Sequence, residues 1–190
     1  MYMNASTLLR AVVSTVAYGG NALINVGPAA DGTIPTIFKE RLSQLGAWLR
    51  VNGEGIYGSR PWRVQNETSA AALMPMSCES PQRQRPAAAA AAEVFYTATN
   101  SSTVYAFVVG WPAGGVEITL AAPRPLPNAT VTLLLEEGGG GRMLTWKPLP
   151  AANTAAGAAA GGVVVSLLAV APSELLGHHQ VWTLKLSGVR

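Results

Sequence analysis

Chemistry has few places to reside in this chain. Asp31 is its single aspartate, and nine glutamates complete its ten acidic residues. Carboxylates working in pairs can serve as nucleophile and acid/base. Asp31 follows an apolar run and precedes Gly32, in Ala29-Ala30-Asp31-Gly32. A short carboxylate there forms a turn and suits the N-terminus of the helix that follows. Turn formation is the favoured reading. Glu40 falls on the polar face of that helix and Glu54 in its exit, positions that fit surface and capping roles. The one histidine pair, His178-His179, precedes a strand-like run. Neighbours on a strand point to opposite faces, so the two cannot easily share a metal, and no Cys, Asp or Glu cluster accompanies them. Ser14 and Ser166 lie in no nucleophile-elbow sequence, and no dinucleotide fingerprint or phosphate loop occurs.

Binding chemistry has more candidates. The tryptophans Trp48, Trp62, Trp111, Trp146 and Trp182 offer in principle a platform for stacking sugars. Trp48 lies on a helix beside apolar neighbours, and Trp182 alternates with Leu184 and Leu186, so burial explains both better. Trp111 and Trp146 stay open between the two roles. N-x-[ST] sequons at Asn4, Asn66, Asn100 and Asn128 lean towards a secretory route. Cys78 is the only cysteine, so no intrachain disulfide forms.

The elements that position these residues follow from periodicity. Leu8, Leu9, Val12, Val13 and Val16 give a helix over Ser6–Ala17. Ala22–Val26 is an apolar run bounded by Gly19-Gly20 and Gly27-Pro28, which reads as a short buried strand. Gly32 supplies a positive φ in the next turn, and Thr33 is the expected N-cap. A helix over Pro35–Val51 carries Ile34, Ile37, Phe38, Leu42, Leu45 and Leu49 on one apolar face, and Asn52-Gly53 stops it. One strand between two helices cannot satisfy its own backbone, so residues 1–62 read as the end of something larger.

Glu67–Glu93 breaks the pattern with alanine runs and Ser80-Pro-Gln-Arg-Gln-Arg-Pro86, and residues 63–93 are read as a flexible linker or insertion. A short polyalanine helix is the structured alternative. From Val94 the period becomes strand-like, over Val94–Thr97, Thr103–Trp111, Val116–Ala121, Thr130–Glu136, Met143–Lys147, Val163–Leu168 and Gln180–Ser187. Residues 94–190 therefore read as an antiparallel β-sandwich.

Bulk properties exclude several classes. A hydrophobic content of 49% with 12% charge fits a folded chain rather than a disordered one. The net charge of +3 is mild and its cations are scattered, so nucleic-acid binding has little support. The most apolar run, Gly161–Pro172, is shorter than the ~20 residues a membrane span needs. No signal peptide opens the chain, and with the sequons this raises the expectation that its true N-terminus lies upstream.

The stretch Gly19–Trp62 closely resembles the end of the catalytic barrel of α-L-fucosidases, glycoside hydrolase family 29. The matching residues are Gly19-Gly20-Asn21, Asn25-Val26-Gly27-Pro28, Asp31-Gly32, Glu40-Arg41-Leu42, Gly46 with Trp48-Leu49, Asn52-Gly53-Glu54, Ile56-Tyr57 and Pro61-Trp62. VYAFVVGWP and VWTLKLSGVR resemble the small β-domain that follows the barrel in animal-type members. The resemblance implies an α/β segment, the last strand and helix of a (β/α)8 barrel, followed by an antiparallel β-sandwich domain.

It also implies removal of terminal α-L-fucose from a fucosylated glycan by a retaining pair of carboxylates, with no cofactor and no metal. In the family the nucleophile and the fucose-holding histidines come from earlier strands, so none maps here. Asp31, at the C-terminal end of the last barrel strand, becomes a candidate rim residue of the substrate pocket. The implied location is lysosomal or secreted. An uncovered helix face makes a homo-oligomer possible. The alternative is a non-catalytic β-sandwich module that binds glycans or packs on a partner.

Overall fold

The computed structural model describes residues 2–67, 92–99, 103–110, 117–149, 161–167 and 181–190. Helix α1 spans Ala5–Ala17. It starts where it does because Asn4 caps it: the side-chain Oδ1 accepts the Thr7 N–H at 2.8 Å. Leu9, Val12, Val13 and Ala17 line its buried side.

The run expected as a strand, Ala22–Val26, is irregular backbone here and joins neither sheet. Leu23 is 96% exposed. The physical reason is the one that makes any isolated strand fail: its N–H and C=O groups have no neighbouring strand to pair with.

The expected cap of the second helix also differs. Helix α2 spans Thr36–Asn52 with Pro35 at the cap position and no side-chain cap bond. Thr33 belongs to the preceding turn, where its N–H and hydroxyl both bind Asp31. Gly53 keeps a right-handed φ, so α2 tightens into a 3-10 turn over Gly53–Gly55 rather than ending in a left-handed cap. The apolar face of α2 is split. Leu45 and Trp48 are buried, whereas Leu42 and the flanking Ile34 stay more than a third exposed.

Nine strands follow among the described residues. They are β1 (Arg60–Glu67), β2 (Glu93–Ala98), β3 (Thr103–Val109), β4 (Glu117–Leu120), β5 (Pro125–Leu134), β6 (Gly141–Leu144), β7 (Trp146–Pro148), β8 (Val163–Ser166) and β9 (Val181–Val189). One sheet has the order β1-β2-β3-β9-β5-β6 and the other β4-β8-β7, all ladders antiparallel.

The sandwich expected from the period-2 runs is present, with two refinements. The run Met143–Lys147 divides into β6 and β7, which serve different sheets. β1 falls where sequence patterning gave no strand. Of the expected flexible linker over 63–93, Arg63–Glu67 form the end of β1, Ala92 leads into Glu93 at the start of β2, and residues 68–91 lie outside the described residues.

Alternation along the central strands sorts two cores. Val94, Tyr96, Val104, Ala106, Val108, Trp182, Leu184 and Leu186 point into the sandwich, against Ile118, Leu120, Val163 and Val165 of the smaller sheet. Phe95, Tyr105, Phe107 and Val181 point the other way, onto Leu9, Val12, Val13, Leu45 and Trp48 of the two helices. The large sheet is thus buried on both faces at its centre. The helices are part of one packed unit with the sandwich.

Candidate functional site

Two places merit attention as sites: the acidic residues, and a groove beside the helices. The groove encloses about 330 Å³ and runs between α1, α2 and the irregular segment Asn21–Val26. Leu8, Val12, Leu23, Ile37, Phe38 and Leu42 are among its walls, and among the described residues Arg41 is the only charged one in the lining. Among the described residues, no carboxylate or histidine lines it. A cleft of that kind offers apolar contact and no acid/base chemistry.

The carboxylates are dispersed, and nearly all are engaged. Asp31 Oδ1 accepts the Thr33 N–H at 2.9 Å and the Thr33 hydroxyl at 2.7 Å. Those two bonds, the backbone one foremost, hold its carboxyl below the ordinary carboxylate range, although the group is fully exposed. A solvated turn former with a lowered pKa is poorly placed to donate a proton at neutral pH. Glu40 lies exposed on α2, bonded to Arg41 at 2.8 Å and to Gln44 at 3.1 Å. Glu117 pairs with Lys147 and Glu137 with Arg50 at the surface.

Glu136 is exposed, and three others, Glu54, Glu67 and Glu93, tie helices and strands together. Glu54, in the 3-10 turn, reaches Lys185 of β9 at 3.1 Å, while its Oε1 is buried without a partner among the described residues. Glu93 of β2 grips Arg10 of α1 through both carboxylate oxygens, at 2.5 and 2.6 Å. That bond raises the Arg10 pKa above its already high value. Glu67 of β1 accepts the Tyr96 hydroxyl at 2.9 Å and the N–H groups of Ala121 and Ala122. Burial, then the Glu67 charge, pushes the Tyr96 hydroxyl well above the ordinary phenol range. None of these long-range pairs was readable from sequence, because partners such as Arg10 and Glu93 are separated by 83 positions.

The described tryptophans are committed to packing. Trp48 is 2% exposed and donates its indole N–H to the Val181 carbonyl at 2.9 Å. Trp182 lies in the sandwich core. The Trp62 and Tyr96 ring centroids lie 5.2 Å apart, and the Arg63 guanidinium sits over the Trp62 ring, 4.6 Å from its centroid. Trp146 is partly buried and donates to the Ala129 carbonyl at 3.1 Å. Trp111, Cys78 and His178-His179 lie outside the described residues. Of the sequon asparagines, Asn4 and Asn128 are exposed, Asn66 is half-buried in β1, and Asn100 lies outside the described residues. Among the described residues no cluster of His, Cys, Asp or Glu has the makings of a metal site, and no helix is long and apolar enough to cross a membrane.

Comparison with known proteins places this arrangement. The family profile "Alpha-L-fucosidase" matches residues 1–54, and "Alpha-L-fucosidase C-terminal domain" matches residues 88–187. An α-L-fucosidase of Branchiostoma floridae is 35% identical over 99% of this chain, which spans 34% of that relative. The tissue α-L-fucosidase of Mus musculus is 36% identical over 96% of the chain, spanning 32% of the relative. A crystal structure of Thermotoga maritima α-fucosidase with a mechanism-based inhibitor superposes with a TM-score of 0.67 at 25% identity, covering 97% of this chain and 34% of that one. The chain therefore spans about a third of the length of the relatives it matches. With two profiles falling in order along it, and the second alone matching more than half of its residues, the chain belongs to the α-L-fucosidase family.

Proposed function

We propose that this chain is the C-terminal part of an α-L-fucosidase, an exo-glycosidase that removes terminal α-L-fucose from glycoconjugates. Residues 1–62 supply the end of the catalytic barrel and residues 94–190 the sandwich that braces it. β1 crosses the first of these boundaries as the edge strand of the large sheet. Residues 63–93 are the linker, apart from that strand's end. The observation that carries the proposal is the two-sidedness of the helices. One face of α1 and α2 is sealed onto the sandwich, and the other meets an apolar groove in which the described residues offer no acid/base group. A helix layer between a sandwich and an apolar groove is what a barrel's outer helices become when the barrel's other strands are supplied elsewhere.

On this reading the nucleophile and the acid/base lie outside this chain, and Asp31 serves the turn at the pocket rim rather than the reaction. The substrate of the whole enzyme is a fucosylated glycan, and its route is secretory, to lysosome or exterior, as the sequons and the tissue and plasma names of the mammalian relatives support. The groove also favours self-association of the isolated chain. The test is direct. The purified chain is expected to give no turnover of an aryl α-L-fucoside, whereas an in-frame fusion to the N-terminal two thirds of the mouse tissue enzyme restores it. Turnover by the chain alone, abolished by Asp31→Asn or Glu54→Gln, would overturn the proposal.

A further inference from the structure

We infer that Asn128 is an N-glycan acceptor site, and that Asn66, with an equally good sequon, is not. The inference rests on the secretory route proposed above, and its argument is the shape of β5. Between Pro125 and Thr130, β5 takes five residue steps while β9 takes two, from Val189 to Ser187. The surplus backbone forms a wide bulge. It is pinned on its inner side at Ala129, whose carbonyl accepts the Trp146 indole N–H at 3.1 Å and whose methyl packs against the sandwich core. It passes close over Gly188, which has a φ of +70°, and where an added Cβ would lie 3.1 Å from the Ala129 Cα and 3.3 Å from the Asn128 Oδ1. With Ala129 held inward, Pro127 and Asn128 are pushed outward, and both are exposed.

The sequon threonine, Thr130, returns to the ladder opposite Ser187, so the Asn128-Ala129-Thr130 tripeptide straddles the bulge. A large branched sugar on Asn128 then extends into solvent without disturbing either sheet. Asn66 is placed differently. It is half-buried, in register with Phe95 of the doubly buried β2, and next to Glu67, whose carboxylate ties β1 to Tyr96 and Ala121-Ala122. Successive strand residues face opposite ways, so Asn66 lies on the Phe95 face, where the sheet packs on the helices, and a glycan there would have to emerge beside that packing.

The reaction is transfer of an oligosaccharide from a polyprenyl-diphosphate donor. A C–N bond forms between the first sugar's C1 and Asn128 Nδ2, the sugar–phosphate bond breaks, the lipid diphosphate leaves, and one amide proton goes to solvent. To test it, the full chain is directed into the endoplasmic reticulum of a eukaryotic host by a cleavable leader. It is then deglycosylated with peptide-N-glycosidase in heavy-oxygen water and mapped by mass spectrometry. Asn128 is expected as labelled aspartate in most molecules, and Asn66 unlabelled. Asn128→Gln and, separately, Thr130→Ala should each lose one glycan's mass, while Thr130→Ser keeps it. An unlabelled Asn128, or Asn66 occupied as fully as Asn128, overturns the inference. Occupancy in the directed chain but none in protein from its native source would leave the acceptor site standing and refute the secretory route instead.

Discussion

Two apolar runs of this chain have opposite fates. Leu184, at the centre of β9, is 2% exposed, between strands β3 and β5 on either side. Leu23, in a run of similar hydrophobicity, is 96% exposed and has no neighbouring strand. The side chains barely differ; the availability of partners does. β9 gains hydrogen bonds on two edges and apolar contact on two faces, with Trp182, Leu184 and Leu186 against the smaller sheet and Val181 against Trp48. Asn21–Val26 gains only the wall of a groove. Strand formation is thus a property of the place a segment finds, and much less of the segment.

The comparison can be broken most decisively by hydrogen exchange. Amides of Phe107 and Leu184 should exchange only through global opening, and those of Leu23–Val26 almost as fast as an unstructured peptide, a difference of several orders of magnitude. Helices α1 and α2 should fall between, since one face of each is docked. Slow exchange at Leu23–Val26 in a dilute monomer would show that the segment has found strand partners.

Next in size is removal of the anchor that ties the helices to the sheet. Trp48→Ala takes away a fully buried indole, its bond to Val181 and its contact with Phe107 at 6.1 Å between ring centroids. A loss of about 3–5 kcal/mol is expected in denaturant unfolding. Set against a typical domain stability of about 5–15 kcal/mol, that change should separate helix loss from sandwich loss. A single unshifted transition would contradict the docking of α2.

Arg10→Ala probes the same interface by charge. The pair is partly exposed, with side-chain exposures of 40% and 18%, so solvent screening reduces its worth to about 1 kcal/mol. Salt should diminish the effect. If Arg10→Ala matched Trp48→Ala in cost, packing would not be the main fastening.

A smaller effect is pH-dependent. The Tyr96 hydroxyl has a folded-state pKa raised above the ordinary value of 10.0, first by burial and then by Glu67. The neutral phenol is therefore favoured by folding, and that contribution is full below pH 10 and lost as pH rises towards the folded value. Wild-type urea midpoints should fall above pH 10, and those of Tyr96→Phe should fall less. Parallel declines would remove Tyr96 as the cause. At the bottom of the scale, Asp31→Asn breaks only an exposed turn, and its unfolding midpoint should match that of the parent chain.

What the sequence by itself determined are the elements that close their own hydrogen bonds or repeat a clear period. Helix α1 is legible because Leu8, Leu9, Val12, Val13 and Val16 recur at helical spacing within one short stretch, whereas its Asn4 cap emerged only in the structure. The strand runs after Val94 are legible because alternation there has two consequences, one for each face of a sheet. The matches to the fucosidase family, from Gly19-Gly20-Asn21 to Pro61-Trp62, are local too. Tertiary structure alone decided the rest: that Ala22–Val26 forms no strand, that Arg60–Glu67 does, and that α2 turns Leu45 and Trp48 rather than Leu42 towards the sheet. It also decided which carboxylates hold the fold, since Arg10 meets Glu93, and Lys185 meets Glu54, only after chain segments far apart have packed. The physical reason is the same in each case. A helix satisfies its backbone from residues four apart, whereas a strand, an ion pair or a buried face is completed by atoms the local sequence does not contain.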